Sequence, residues 1–224
     1  EFGEGVLFGI TNYIYAFLMT NIYFVFCNLI FLFFFMTLQH SFSNIIIYFV
    51  ALIPTGPAIS ALFYAMGKLA REKELSPFKD FFYGYKLNFI DTIKFWLPFL
   101  LILFILFVDL QSFNAKGSVF DVILSVVFLI AIILLLTLSL YSFSINTNFK
   151  FRTKDVFKLS IYYLFKNPKI TFGNLAIVII TLFVCSLTSN FLLLICMSPV
   201  CYLFTLNNRV IVSSVKAQFV KKEG

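Results

Sequence analysis

The chain has 224 residues and a formal net charge of +7; 61% of its residues are hydrophobic, 20% aromatic and only 12% charged, with a mean hydropathy of +0.99. Soluble domains carry about a quarter charged residues, so these charges are too few to cover a globular surface. The composition excludes a soluble enzyme domain, a disordered chain and a disulfide scaffold; it predicts an all-α polytopic membrane bundle, a single membrane domain over residues 1–224.

Ahead of the first apolar run stand Glu1 and Glu4 but no Lys or Arg, and no small-residue cleavage site follows, so no secretory signal is expected there. A helix across the roughly 30 Å hydrocarbon core needs about 20 apolar residues. Residues 16–38 predict the first span and 45–66 the second, joined by the polar turn Gln39-His40-Ser41-Phe42-Ser43-Asn44. Asn21 and Asn28 share a face of span one, which suits hydrogen bonds between helices or to a ligand hydroxyl. In span two, Pro54 and Pro57 free backbone carbonyls and predict a kink or a broken helix. Gly56, Ala58 and Ala61 beside them suit close helix packing. A broken helix is also a device by which transporters build substrate sites.

Ser76-Pro77 then opens an amphipathic helix over 77–90. Phe78, Phe81, Phe82, Tyr85 and Phe89 recur on one face, with Lys79, Asp80, Tyr83 and Lys86 opposite. Residues 93–110 predict the third span and 119–143 the fourth, after a turn holding Asn114, Lys116 and Gly117. Asp109 and Asp121 fall at the outer span ends and read as hairpin ends in solvent rather than an ion site. Thr153 is placed to cap a second amphipathic helix over 154–166, ended by Asn167-Pro168. Its apolar face is read as Val156, Phe157, Ser160, Ile161, Leu164 and Phe165. Lys79-Asp80-Phe81-Phe82 and Lys154-Asp155-Val156-Phe157 open the two helices alike, which hints at a parallel repeat. Both helices are expected at the inner interface, offering Lys79, Lys86, Lys154 and Lys158 as candidates for docking a cytoplasmic partner.

From Phe172 to Leu206 the chain is apolar, interrupted at Ser186, Thr188, Ser189, Asn190 and Pro199. Charge separates one span from two, because cytoplasmic loops carry the excess Lys and Arg. With spans at 172–188 and 191–206, six in all and both termini cytoplasmic, every Lys and Arg except Lys116 lies inside. Five spans would carry Arg209, Lys216, Lys221 and Lys222 outside; a re-entrant final hairpin gives the same distribution as six. The protein is therefore expected as a multi-pass component of the cell membrane.

Cys27, Cys185, Cys196 and Cys201 lie in apolar stretches without C-x-x-C spacing, and His40 is the single histidine, so neither metal nor other cofactor is expected. The positive charge suits anionic headgroups rather than nucleic acid. With no Ser/His/Asp set, Gly-rich phosphate loop or His-Glu-x-x-His motif, no enzyme is expected.

Asn28-Leu29-Ile30, Pro54-Thr55-Gly56-Pro57-Ala58, Ala61-Leu62-Phe63-Tyr64 and Lys68-Leu69 resemble the YesL family of bacterial integral membrane proteins. So do Phe78-Lys79-Asp80-Phe81-Phe82 and Tyr85-Lys86-Leu87-Asn88-Phe89, and the likeness runs from about Asn21 to Trp96. The resemblance implies no enzymatic activity. Through gene neighbourhoods in Gram-positive bacteria it implies an accessory role beside carbohydrate ABC importers, their permease and ATPase subunits. The Glu-Ala-Ala…Gly loop by which importer permeases engage an ATPase is missing, the nearest segment, Asp80 to Gly84 then Leu97-Pro98, having the wrong residues and spacing. The expected function is thus a non-catalytic accessory subunit supporting importer assembly or regulation. A stand-alone small-molecule or saccharide transporter or channel is the alternative, and a sensor-kinase modulator a third; a homo-oligomer is compatible with each.

Overall fold

The computed structural model describes residues 6–39, 41–115, 118–187 and 191–219. Among these residues the structure is all helical: α1 (Val6–Cys27), α2 (Leu29–Thr37), a 3-10 turn (Phe42–Asn44), α3 (Ile45–Ala51), α4 (Thr55–Glu72), α5 (Pro77–Asn114), α6 (Val119–Asn148), α7 (Thr153–Lys166), α8 (Pro168–Leu187), α9 (Phe191–Asn207) and α10 (Arg209–Phe219). Glu1, Glu4, His40, Lys116, Gly117, Thr188, Ser189, Asn190, Lys221 and Lys222, on which some of the sequence expectations fall, lie outside the described residues.

The first expected span starts earlier and is divided. Residues 6–15 carry no charge and no proline, so α1 begins at Val6 rather than Ala16. It ends where the Asn28 side chain competes for the helix's own carbonyls, donating Nδ2–H to Phe24 O at 2.7 Å. The second expected span is broken as well. Pro57 cannot donate to residue 53 and its ring would crowd that carbonyl, so α4 starts at Thr55 with Pro57 in its first turn. The turn plus α3 and the following α4 meet at a bend of 46°.

One expectation is overturned outright. The amphipathic helix 77–90 and the span 93–110 are not separate elements; they form the single 38-residue α5, about 57 Å long. Nothing between Phe89 and Lys94 breaks a helix, and Pro98 is accommodated inside α5. The half of α5 from Pro77 to Asn88 therefore continues the span and packs on α4 and α1 instead of lying separately on the interface. Its buried face is Pro77, Asp80, Phe81, Gly84 and Asn88, so Asp80 sits inside while Phe78, of the expected aromatic face, is exposed.

The second amphipathic segment does form its own helix, because Asn167-Pro168 interrupts it before α8. Its buried face is Val156, Leu159, Ser160 and Tyr163, while Ile161 and Phe165 of the expected face are exposed. The cause is α10, an element absent from the sequence reading. Ile211 and Val215 of α10 and Tyr141 and Ile145 of α6 close a small second core over α7. The buried positions Phe81, Gly84 and Asn88 recur in register as Val156, Leu159 and Tyr163, yet Asp155 is exposed where Asp80 is buried.

The main core surrounds α4, whose Ala58, Ala61, Leu62, Ala65, Met66 and Leu69 are fully buried against α5, α9, α6 and α1. The outward faces of α2, α3 and the first half of α6 are apolar and exposed, as a lipid-facing surface requires. By length and hydropathy, stretches of α1, α5, α6 and α8 can each cross a membrane, and the bent pair adds a fifth crossing if counted as one span, against the six expected. The counterpart of the sixth expected span, α9, has 17 residues and packs on α1, α4 and α8. The protein is a multi-pass helical membrane protein.

Candidate functional site

The polar groups freed by the two helix breaks are brought together inside the bundle. Asn28, at the α1–α2 break, accepts through Oδ1 a short hydrogen bond from the Thr55 hydroxyl at the head of α4. Leu52 lies in the gap between α3 and α4, and its carbonyl accepts from the Trp96 indole N–H of α5 at 3.0 Å. A seven-residue step back along α1, Asn21 Oδ1 accepts from the Ser198 N–H at 3.2 Å and its hydroxyl at 3.3 Å. The Thr20 hydroxyl lies 3.0 Å from the Ser198 hydroxyl. Ser198 immediately precedes Pro199, inside α9. Asn21, within α1, and Asn28, just past its end, thus bond to different neighbours, α9 and α4.

Small residues allow these approaches. A Cβ on Gly56 would fall 2.3 Å from Cδ1 and 2.4 Å from Cγ of Trp96, so the indole lies directly on the α4 backbone. Ala58 and Ala61 are fully buried, Pro57 is buried and Pro54 half-buried. Farther along the α4–α5 contact, a Cβ on Gly84 would meet Cβ and ring atoms of Tyr64 at 2.7 Å. Residues 17–110 match the family described as DUF624, a protein family of unknown function. This is the YesL-like family that the sequence resembles, and the match holds the seam from Asn21 through Trp96. Ser198 and the rest of α9 lie beyond it. No curated protein and no solved structure matches the chain.

Within the DUF624 segment a second polar cluster ties the α4–α5 hairpin. Lys68 Nζ lies 2.8 Å from Asp80 Oδ1, and Asp80 Oδ2 accepts from the Ser76 N–H at 2.9 Å. Asp80 thereby serves the free N–H ahead of α5 and neutralises Lys68, which is why it turns inward. Asp91 faces both Lys94 and Lys150, at 3.4 and 3.7 Å, and Lys150 also donates to Leu87 O at 2.9 Å.

Outside that segment the pattern is the same. Tyr141 and Thr171 hydroxyls meet at 2.8 Å, and Ser142 and Ser160 at 3.0 Å. Asn174 bridges Asn207 and Asn208 at 2.9 and 2.8 Å. Lys79, Lys86, Lys154 and Lys158 are exposed on α5 and α7. The Tyr162 hydroxyl, 2.6 Å from Lys166, holds that ammonium above the ordinary lysine value.

Thr55, Trp96, Thr20 and Ser198 escaped the sequence reading. Trp96 had one available signal, being the single tryptophan of the chain. Thr55 stands between the two prolines, where a hydroxyl at a helix head is commonly spent on a neighbouring polar group. Ser198 carried no signal short of the tertiary contact itself.

Proposed function

We propose that this protein is a non-catalytic accessory subunit that packs laterally against another membrane protein and supports its assembly or regulation. A carbohydrate ABC importer, with its permease and ATPase subunits, is the partner class favoured by the YesL resemblance. The observation that carries this reading is how the buried polar side chains are used: Asn21 with Ser198, Asn28 with Thr55, Asn146 with Thr92, and Asn174 with Asn207 and Asn208 bond to one another. A transport route would need such groups turned toward a water-lined path. Spent on each other, they fix the helices relative to one another, which suits a rigid docking body. The topology we propose with it has six spans and both termini in the cytoplasm of a Gram-positive cell, because the basic residues of 68–94, 150–169 and 209–222 then share one side. Lys79, Lys86, Lys154 and Lys158 would then face the importer's cytoplasmic domains.

The test is affinity purification from host membranes into native nanodiscs, followed by mass spectrometry. Importer permease and ATPase at fixed stoichiometry are expected. A chain that emerges alone and takes up sugar after reconstitution would replace this reading with that of a transporter, and co-purification of a sensor kinase would replace the partner.

A further inference from the structure

A cavity of about 470 Å³ opens at the basic end of the bundle, where α4, α6, α9 and α10 converge. That volume falls within the range of small-molecule sites. Its cationic groups are Arg71 from the last turn of α4, Arg209 from the first position of α10 and Lys216 two turns later. Its floor is formed by Phe63, Gly67 and Val212, and the lining holds no acidic residue.

The two arginines are held by neutral acceptors. Arg209 Nη2 donates to Ala70 O at 2.6 Å, a carbonyl at the open end of α4, and Arg71 Nη1 donates to Asn148 Oδ1 at 3.3 Å. Gly67, one turn before Arg71, gives that guanidinium room to fold across α4: a Cβ there would stand 3.2 Å from Nη1. Ion pairs among the described residues belong instead to Lys68, Lys94 and Lys150. Arg71 from α4 and Arg209 and Lys216 from α10, without an ion-pair partner among the described residues, repel one another unless an anion joins them. Guanidinium forks match phosphate oxygens, and each arginine keeps further N–H donors for them.

We propose that this cavity binds the phosphate group of an organic phosphate, its apolar floor taking the carbon stem. Two sources have this chemistry, an anionic phospholipid headgroup and a small soluble phosphate ester. The cavity lies at one end of the spans, within reach of headgroups, and is open enough to admit a solute.

The experiment uses the full chain in phosphatidylcholine nanodiscs. One arm titrates phosphatidylglycerol and counts retained lipids by native mass spectrometry; the other titrates glycerol 3-phosphate and reads thermal stability. Each charge removed should weaken binding about fivefold, so R71Q/K216Q should lose about 25-fold and K216E at least as much. Lys216 makes no described hydrogen bond, so K216E tests the charge without disturbing the fold. The K169E control makes the same charge change as K216E at an exposed position of α8 outside the cavity lining, and should bind as the wild type does. Retention of phosphatidylglycerol alone identifies the lipid source, and a response to glycerol 3-phosphate alone the soluble one. Failure of both, or equal losses in K169E and K216E, overturns the site.

Discussion

Replacing Gly56 by alanine tests the helix-break seam at its tightest point. The added methyl carbon would stand 2.3 Å from Trp96 Cδ1, so either the indole or α4 must move. The atoms it meets belong to a rigid ring packed on Phe143, with centroids 5.5 Å apart, rather than to the free end of a flexible chain. Overpacking of this kind costs about 1–3 kcal/mol. Moving the indole also breaks its 3.0 Å bond to Leu52 O, which then keeps only the 3.2 Å bond from the Thr55 N–H. Losing one such hydrogen bond costs about 1 kcal/mol more. Against these stands a gain of at most about 1 kcal/mol from alanine's helix propensity. The net expectation is a loss of about 2 kcal/mol, read by SDS titration of the purified protein in mixed micelles with circular dichroism. Trp96 is the single tryptophan, so its emission should shift to the red in G56A. In a W96A background the clash has no target, and G56A should become neutral or mildly stabilising, giving a coupling energy of about 2–3 kcal/mol. Equal costs in both backgrounds would refute the reasoning.

Gly84→Ala should lose about 1–3 kcal/mol against the Tyr64 ring by the same titration, whereas Gly9→Ala, with nothing within 4 Å, should be neutral or slightly stabilising. Asp80→Ala strands Lys68 and the Ser76 N–H together; because Lys68 keeps partial access to solvent, the expected loss is about 2 kcal/mol, and Asp80→Asn, which retains an acceptor, should lose less. The buried Tyr163 hydroxyl has no hydrogen-bond partner among the described residues, so Tyr163→Phe should raise stability by about 1 kcal/mol. Burial pushes the Tyr163 phenol above its ordinary value of 10.0, so the folded state holds this proton more tightly than the unfolded state does. This phenol's share of the stability is therefore retained below that ordinary value and lost as pH rises from there through the folded-state value, so alkaline unfolding curves should decline less steeply in Y163F than in the wild type.

Hydropathy made the membrane bundle legible, because twenty-residue apolar runs have few other uses in a chain this poor in charge. Proline made some boundaries legible, since Pro77 and Pro168 stand at the first positions of α5 and α8. The continuity of α5 was hidden for a physical reason. Asp91 and Lys94 read as the edge of a loop, but a helix backbone is indifferent to charge as long as the side chains reach solvent or each other, as these do at 3.4 Å. The face of α7 was misread because its partners Ile211 and Val215 lie far along the chain, in a tail that the sequence presents as merely basic. Asp80 was placed outside for a similar reason: a carboxylate turns inward only when a cation and a free N–H await it. Lys68 and Ser76 become visible as that pair only once the α4–α5 hairpin has closed.

The residues that carry the family resemblance have sizes fixed by their contacts. Gly56 lies against the Trp96 indole, Tyr64 against the Gly84 backbone, and Ala58 and Ala61 sit where no side-chain surface reaches the outside. Asn28 and Lys68 are engaged by Thr55 and Asp80. A motif built this way specifies the crossing of α4 over α5 and the shape of the bundle. Whatever distinguishes one member of such a family from another then falls to positions the motif leaves free. Here those are the exposed lysines of α5 and α7 and the cations around the α4–α10 cavity, and it is on these surfaces that the docking and phosphate-binding roles proposed above are placed.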